Sequence, residues 1–488
     1  MISGQKIHET NPDGFIIIHS RQFISLIIIS CAVKGRIPTS LVDVCRHIEA
    51  HRDDDLKLLK KLVAQPSVSA RNMGVRECTE MLRSLLTKLG CDTVAICPTD
   101  GQPLVFAELK SKKAGAKTIL FYGHYDTQPP DPVEEWITPP FEPTVRDGRL
   151  YGLGTADNKG QFLAHLLAVR SWLATEDDVP VNVKFILDGE EESGSPNMRA
   201  FVETHKDMLM ADLVYNSDGP MNAGDFPEIK LGFRGDLSME FELTTATHQN
   251  HSKTGQLIPN PAIELCQLVA SMIDRDGHVL IDGFYDDVLP PTAYERELMD
   301  GYAFEPKTLA RVYGVKKLLK TAKEAYYTQL MFRPTFTING MSSGYCGPGH
   351  KTCVPRSALM KLDVRLVKNM DPEKVLEKIR RHAATFDPEI VVRAGKAMYP
   401  SKSDAEQPLC QAAIAAARSV YPNAVVHPSS GGSNPDYVWT GIMKMPSVTV
   451  PYGNADQTNH SPNENLRLDC FHKGIHVSAA VIGRIGEI

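Results

Sequence analysis

The sequence predicts an α/β fold: a doubly wound, mainly parallel sheet with helices on its faces, interrupted by an inserted α+β domain. Three observations point there. Apolar runs of strand length alternate with amphipathic helical stretches in the first half of the chain and again near its end, the pattern of βαβ crossovers. Between about Leu231 and Lys396 the periodicity changes to two, the mark of half-buried strands. The 488 residues are 42% apolar and 23% charged, with 35 Gly and 33 Pro spread along the chain. That is a folded composition, and at roughly 100 to 200 residues per domain it allows two to four domains.

Residues 1–50 read as an N-terminal extension. Positions 15–18 and 23–33 are strongly apolar but are separated by His19-Ser-Arg-Gln22. Neither piece approaches the ~20 residues of a spanning helix, so no membrane span is expected. Ile28-Ile-Ser-Cys31 loosely resembles a lipoprotein cleavage site, which leaves export as a minor alternative to a cytoplasmic location. The first part of the main domain, 51–231, opens with Leu56, Leu58, Leu59 and Leu62 at helical spacing, then a second amphipathic helix over 78–89. Strand-then-loop units follow: 118–122 ends at Gly123-His124, 181–187 at Asp188-Gly189-Glu190, and 212–215 at Asn216-Ser217-Asp218. Between the first two, Phe162, Leu163, Leu166, Leu167 and Leu173 predict a helix over 158–174. The insertion, 232–395, carries period-two strands at 237–243, 335–338 and 360–366 and helices at 261–273 and 372–384. The second part of the main domain, 396–488, returns to helix at 409–420 and strand at 447–450 before a loop to Asn465.

The net charge of −6 lacks the basic field that sequence-independent nucleic-acid binding requires, so no nucleic-acid partner is expected. Ten cysteines are dispersed without a Cys-x-x-Cys pair, which argues against a thiolate zinc site or a disulfide framework and for a reducing compartment.

The residues most suited to metal work follow predicted strands: His124 and Asp126 in Gly-His-Tyr-Asp, Glu190 to Glu192, Asp218 in Asn-Ser-Asp-Gly, and His460 in Asn-His-Ser-Pro-Asn-Glu. Asp157, in Thr-Ala-Asp-Asn-Lys-Gly at the head of the long helix, joins them. In an open α/β sheet the carboxyl ends of the strands converge on one crevice. Two imidazoles and several carboxylates suit a pair of zinc-class ions, one carboxylate bridging them and another free to act as a base. Each residue also has an ordinary reading: Asp218 as a turn residue, His124 and Asp126 as a surface pair, Asp157 as a helix N-cap, Glu190 to Glu192 as a solvated loop. Their common order, each after a strand and with the insertion before the last, favours a shared site.

At this point a resemblance enters. Gly123-His-Tyr-Asp126, Gly154-Thr-Ala-Asp-Asn-Lys-Gly160, Glu191-Glu-Ser-Gly-Ser195, Ser217-Asp218 and Asn459-His-Ser-Pro-Asn-Glu464 resemble the motif series of the co-catalytic zinc peptidases, the family of carnosinase-type dipeptidases, glutamate carboxypeptidase and aminoacylase. The likeness runs from about Asp53 to the C-terminus, and the long insertion, helical around 287–332, is most similar to the cytosolic dipeptidase branch. It implies a catalytic domain with an inserted lid and dimerisation domain, and a hydrolase that cleaves a peptide or amide bond next to a free carboxylate, either a dipeptidase or a carboxypeptidase. It implies two Zn²⁺ ions, or Mn²⁺ in their place: His124, Asp157 and Asp218 on one, Asp157, Glu192 and His460 on the other. Glu191 becomes the base, Glu190 a bystander, and Asp126 the acceptor that orients His124. In the insertion, His251-Ser252 resembles the His that reaches a neighbouring subunit's site in dimeric members, with Lys253 where Gly is usual. Thr352, Arg365, Gly432 and Ser433 fall in segments similar to those that bind the substrate's end carboxylate; a guanidinium is the natural bidentate partner there.

Three other readings stay open. The same scaffold serves N-acyl-amino-acid hydrolases. Gly340-Met-Ser342-Ser-Gly344 fits a nucleophile elbow, which requires a helix next, and Cys346-Gly-Pro-Gly is poorly suited to one. A non-catalytic peptide-binding protein is the third.

Overall fold

The computed structural model describes residues 39–488; the apolar pieces at 15–18 and 23–33 and the Cys31 motif lie outside the described residues. An eight-stranded sheet runs in the order Thr93–Cys97, Leu104–Leu109, Asn182–Asp188, Thr118–His124, Leu213–Asn216, Ser447–Thr449, Glu228–Lys230, Val425–His427. Its centre is parallel: Thr118–His124 pairs in parallel with Asn182–Asp188 and with Leu213–Asn216, which pairs in parallel with Ser447–Thr449. The two strands at one edge are antiparallel, and Lys230 pairs Thr449 in antiparallel sense.

Alternation along the central strand explains the layering. Ile119 and Phe121 face a core shared with the helices Gly160–Glu176, Pro408–Val420 and Leu468–Ile485, while Leu120 and Tyr122 face a second cluster with Val214, Ile186 and Trp439. Both faces are covered, so the strands read as continuous apolar runs. The helix Gly160–Glu176 is buried nearly all round, and truncating a side chain such as Leu163 to Ala in such a place costs about 2–5 kcal/mol. At the close approach of strand and helix, a Cβ on Gly123 would lie 2.5 Å from the Cβ of Phe162, so only glycine fits.

The N-terminal assignment needs correction. Residues 39–50, read as part of an extension, form the helix Thr39–Ala50, whose Val44 and Ile48 are fully buried in the main core. Spacing of i and i+4 gives that helix its buried stripe.

The inserted domain is a four-stranded antiparallel sheet, Thr335–Ser343, Ser357–Leu366, Gly235–Thr244, Val391–Met398. Leu237, Met239, Phe241 and Leu243 point to one face and pack with the helices Pro261–Met272 and Pro372–Phe386. The helices Ala293–Asp300, Pro306–Val312 and Lys323–Phe332 fill the stretch expected to be helical. Among the described residues no helix is long and apolar enough to cross a membrane.

Candidate active site

The carboxyl edge of the parallel strands collects the titratable residues. His124 ends the central strand and is buried. Its Nδ1–H donates to the Asp126 backbone carbonyl at 3.3 Å, with Asp126 Oδ1 also 3.3 Å away, leaving Nε2 3.1 Å from Asp157 Oδ1. Asp126, wholly buried, also accepts from the backbone N–H groups of Glu191 and Glu192, both at 3.2 Å. Asp126 thereby holds the imidazole, through its carbonyl and carboxylate, and its carboxylate pins the turn that carries the two glutamates.

Asp157 is not a helix N-cap. Residues Thr155–Lys159 form a π turn ahead of the helix, and the Asp157 side chain turns into the crevice between two imidazoles. Its Oδ2 lies 3.2 Å from His460 Nε2 and accepts from Asn459 Nδ2 at 3.0 Å. His460 Nε2 is also 3.0 Å from Glu192 Oε2. His460 sits in the left-handed region at φ 56°, uncommon for a residue with a Cβ, and that conformation aims its ring at the two carboxylates. His124, Asp157 and Glu192 offer ligand atoms all within 4.8 Å of one another. Glu191 Oε2 stands 3.9 Å from His124 Nε2. Asp218, after the strand Leu213–Asn216, accepts from Asn158 Nδ2 at 3.2 Å and from the Gly219 N–H at 2.7 Å.

The electrostatics match a site built for cations. Hydrogen bonds that the His460 ring donates to Asp157 and Glu192 hold its pKa up to about 10. His124 is raised well above its usual value because Asp126 and Asp157 outweigh its desolvation, and Asp157 is correspondingly lowered. Burial, then the Asp157 charge, lifts Asp218 to about 6. Burial followed by the neighbouring carboxylates raises Glu191 well above the carboxylate range. Two imidazoles and three acceptor carboxylates without a thiolate are a fitting donor set for a pair of zinc-class ions.

Several residues escaped the sequence reading. Gln128 Nε2 donates to Glu192 Oε2 at 3.0 Å. Glu464, fully buried, accepts from the N–H groups of Gly154, Ala156 and Asp157 at 3.0, 2.8 and 3.0 Å, and burial raises its carboxyl to about 8. Asn459 and Glu464 flank His460 in a motif already singled out, which was the signal available for them. Glu190 is bound elsewhere, its Oε1 accepting from Asn197 Nδ2 at 2.6 Å and its Oε2 from the Gln102 N–H at 3.0 Å.

The residues expected to bind the substrate, on the insertion and on the 431–433 loop of the main domain, stand apart. Arg365, on the strand Ser357–Leu366, donates from Nη1 to Ser433 Oγ at 2.8 Å, with Asp236 and Asp363 at 3.8 and 3.7 Å from its Nε. Gly432 O accepts from the Arg234 N–H at 2.9 Å. His251 ends the short strand Asn250–His251, paired antiparallel with Cys353–Val354, and Thr352 immediately precedes that partner strand; both are exposed, Thr352 O accepts from the Ser252 N–H at 3.0 Å, and His251 Nδ1 accepts from the Lys253 N–H at 3.1 Å. Lys253 thus closes the turn that glycine was expected to make. Among the described residues none of these five, Arg365, Ser433, Gly432, His251 and Thr352, touches the His124 cluster by a hydrogen bond or ion pair. Ser342 is corrected outright: it lies exposed within the strand Thr335–Ser343, and no helix follows before Pro372. The nucleophile elbow is absent because the Gly-x-Ser-x-Gly spacing falls on an extended edge strand.

Fold and site together define a metal-dependent peptidase with a two-part catalytic domain around an insertion. The model of peptidase family M20/M25/M40 matches residues 120–484, and the chain belongs to that family. It is 30% identical to the human Beta-Ala-His dipeptidase over 92% of this chain and 94% of that one. To the Cys-Gly metallodipeptidase dug1 of Schizosaccharomyces pombe it is 26% identical over 90% and 97%. The solved M20 metallo-carboxypeptidase Sso-CP2 of Sulfolobus solfataricus superposes with a TM-score of 0.79 at 34% identity, covering 89% of this chain and 99% of that one. The protein is accordingly a metallopeptidase.

Proposed function

We propose that this metallopeptidase is a dipeptidase acting on the peptide bond next to a free α-carboxylate, with two Zn²⁺ or Mn²⁺ ions as cofactors. The observation that carries the reading is the convergence of His124, Asp157, Glu192 and His460 within hydrogen-bond distance, with Glu191 beside them. His124, Asp157 and Asp218 would hold one ion and Asp157, Glu192 and His460 the other, with Asp157 as the bridge. Such ions supply Lewis acidity and lower the pKa of water at the site.

Glu191 takes a proton from the attacking water and hands it to the leaving amine. Burial raises the proton affinity of its carboxyl, the direction that suits a group that takes up and returns a proton. Asp126 holds His124 in the tautomer that leaves Nε2 free as a ligand. Arg365, with Ser433, Gly432 and Thr352, pairs with the substrate's free carboxylate. His251, exposed and without a hydrogen bond or ion pair to the His124 cluster among the described residues, is read as acting on the scissile carbonyl in a second subunit's site, which requires a homodimer through the inserted domain, 232–395. Eight unpaired thiols, Cys78, Cys91, Cys97, Cys266, Cys346, Cys353, Cys410 and Cys470, support a cytoplasmic location.

The test is a hydrolysis screen of dipeptides, longer peptides and N-acyl amino acids with Zn²⁺ or Mn²⁺ added. Dipeptides are expected to turn over fastest. Release of C-terminal residues from longer peptides at equal rate would make the protein a carboxypeptidase, and turnover of N-acyl amino acids alone would overturn the peptidase assignment.

A further inference from the structure

A lysine stands at the same sheet edge as the metal-binding residues. Lys230 ends the strand Glu228–Lys230 and pairs with Thr449, which pairs in turn with Asn216, so Lys230, Thr449 and Asn216 lie side by side two residues before Asp218. Its Nζ is 3.5 Å from where a Cβ on Gly219 would stand and 6.0 Å from the ring centre of Phe233. Asp218 and Glu228 both act on its charge, as does His427 on the paired strand, yet among the described residues no carboxylate forms an ion pair with it within 4.0 Å.

Charge balance makes this placement informative. Asp157, Glu191, Glu192 and Asp218 bring four negative charges, which two divalent ions offset. Asp126 and Glu464 lie on the other side, where the buried Lys159 faces them. A loaded site therefore has no need of Lys230, whose Nζ stands beside Gly219, next to Asp218. From Lys230 the chain runs to Arg234, whose N–H bonds Gly432 O next to Ser433. Four extended residues span at most about 13 Å, an upper bound that sets Lys230 and the Arg234–Gly432 contact apart on the scale of a dipeptide.

Building on the dipeptidase reading, we propose that Lys230 is a specificity-determining residue that pairs with a second carboxylate on the substrate, the side chain of an Asp or Glu on the amino side of the scissile bond. Arg365 and Ser433 take the terminal carboxylate at the far end, and Lys230 takes the acidic side chain at the Asp218 end.

The test measures kcat/KM for Glu-Ala, Gln-Ala, Ala-Glu and Ala-Gln with wild type, Lys230→Gln, Lys230→Arg and Lys230→Glu, with metal content determined on the same samples. Wild type is expected to favour Glu-Ala over Gln-Ala by roughly ten- to hundredfold, the worth of a charge-assisted hydrogen bond. Lys230→Gln should bring that ratio to within about twofold, Lys230→Arg should keep it, and Lys230→Glu should invert it. Equal rates on Glu-Ala and Gln-Ala in wild type would overturn the inference while leaving the dipeptidase reading intact. So would equal loss on all four substrates with falling metal content, which would make Lys230 a support for Asp218, or an acid preference confined to Ala-Glu. Hydrolysis of none of the four dipeptides would overturn the dipeptidase reading and this inference with it.

Discussion

Glu191 and Glu192 are neighbours in sequence, yet their carboxylates meet different partners: Glu191 Oε2 stands 3.9 Å from His124 Nε2, and Glu192 Oε2 stands 3.0 Å from His460 Nε2 and accepts from Gln128. The split follows from the turn, whose two N–H groups are pinned by the two oxygens of Asp126. Glu191→Gln is expected to keep metal content and lower kcat by about 10²-fold or more, because the amide keeps the shape and loses the proton acceptor. Glu192→Gln should instead lose metal, read by elemental analysis. The reverse pattern would exchange their roles. If Arg365 takes the substrate's free carboxylate, an amidated dipeptide should be a poorer substrate than its free acid by roughly thirty- to thousandfold in kcat/KM, a charge-assisted pair of that kind being worth about 2–4 kcal/mol. Equal turnover of both forms would remove Arg365 from the carboxylate pocket.

At the scale of elements, the helix Gly160–Glu176 carries a buried histidine with a measurable signature. His165 lies against Phe121 with ring centres 4.8 Å apart, and its Nδ1 is 2.9 Å from Ser478 Oγ on the C-terminal helix. Burial lowers it to about 3, while in the unfolded chain it returns to about 6.5. Between those values the unfolded state binds the extra proton, so the stability His165 contributes is whole above pH 6.5 and is lost as pH falls below it. Each such group gives a slope of about 1.4 kcal/mol per pH unit. His165→Leu should flatten the dependence of the urea midpoint on pH between 6.5 and 5 by one proton's worth, and unchanged slopes would contradict the assignment.

The same scale shows how much was legible beforehand. The strands that deliver His124, Glu191 and Asp218 were readable because each apolar run stops at a charged or polar turn, and the insertion was readable from its change of period. The antiparallel direction of Thr93–Cys97 and Leu104–Leu109 was not, since strand direction depends on long-range pairing rather than on local pattern. Three-residue strands such as Glu228–Lys230 and Val425–His427 are too short to carry a period. Helix Thr39–Ala50 was obscured by the apolar run before it, although Val44 and Ile48 have helical spacing. In the site, His124, Asp157, Glu192 and His460 were found as metal-type residues, whereas Gln128 and Glu464 act through contacts made only after folding.

At the scale of the whole molecule, the chain separates its tasks between two cores, the main one beneath the His124 cluster and another in the insertion, where His251 and Thr352 are exposed. If His251 serves a second subunit, two inactive variants, His251→Ala and Glu191→Ala, should rescue each other on subunit exchange. A mixed dimer has one complete site of two and half the dimers are mixed, so activity should return to roughly a quarter of wild type. No recovery despite proven exchange would confine His251 to its own chain or to no catalytic role.

The proposed two-ion dipeptidase centre is tested most directly by dipeptide hydrolysis with protein stripped with a chelator and then titrated with Zn²⁺ or Mn²⁺. The expected result is loss of activity on stripping and recovery that levels off at about two ions per chain. Full hydrolysis by protein that elemental analysis finds free of metal would contradict the account.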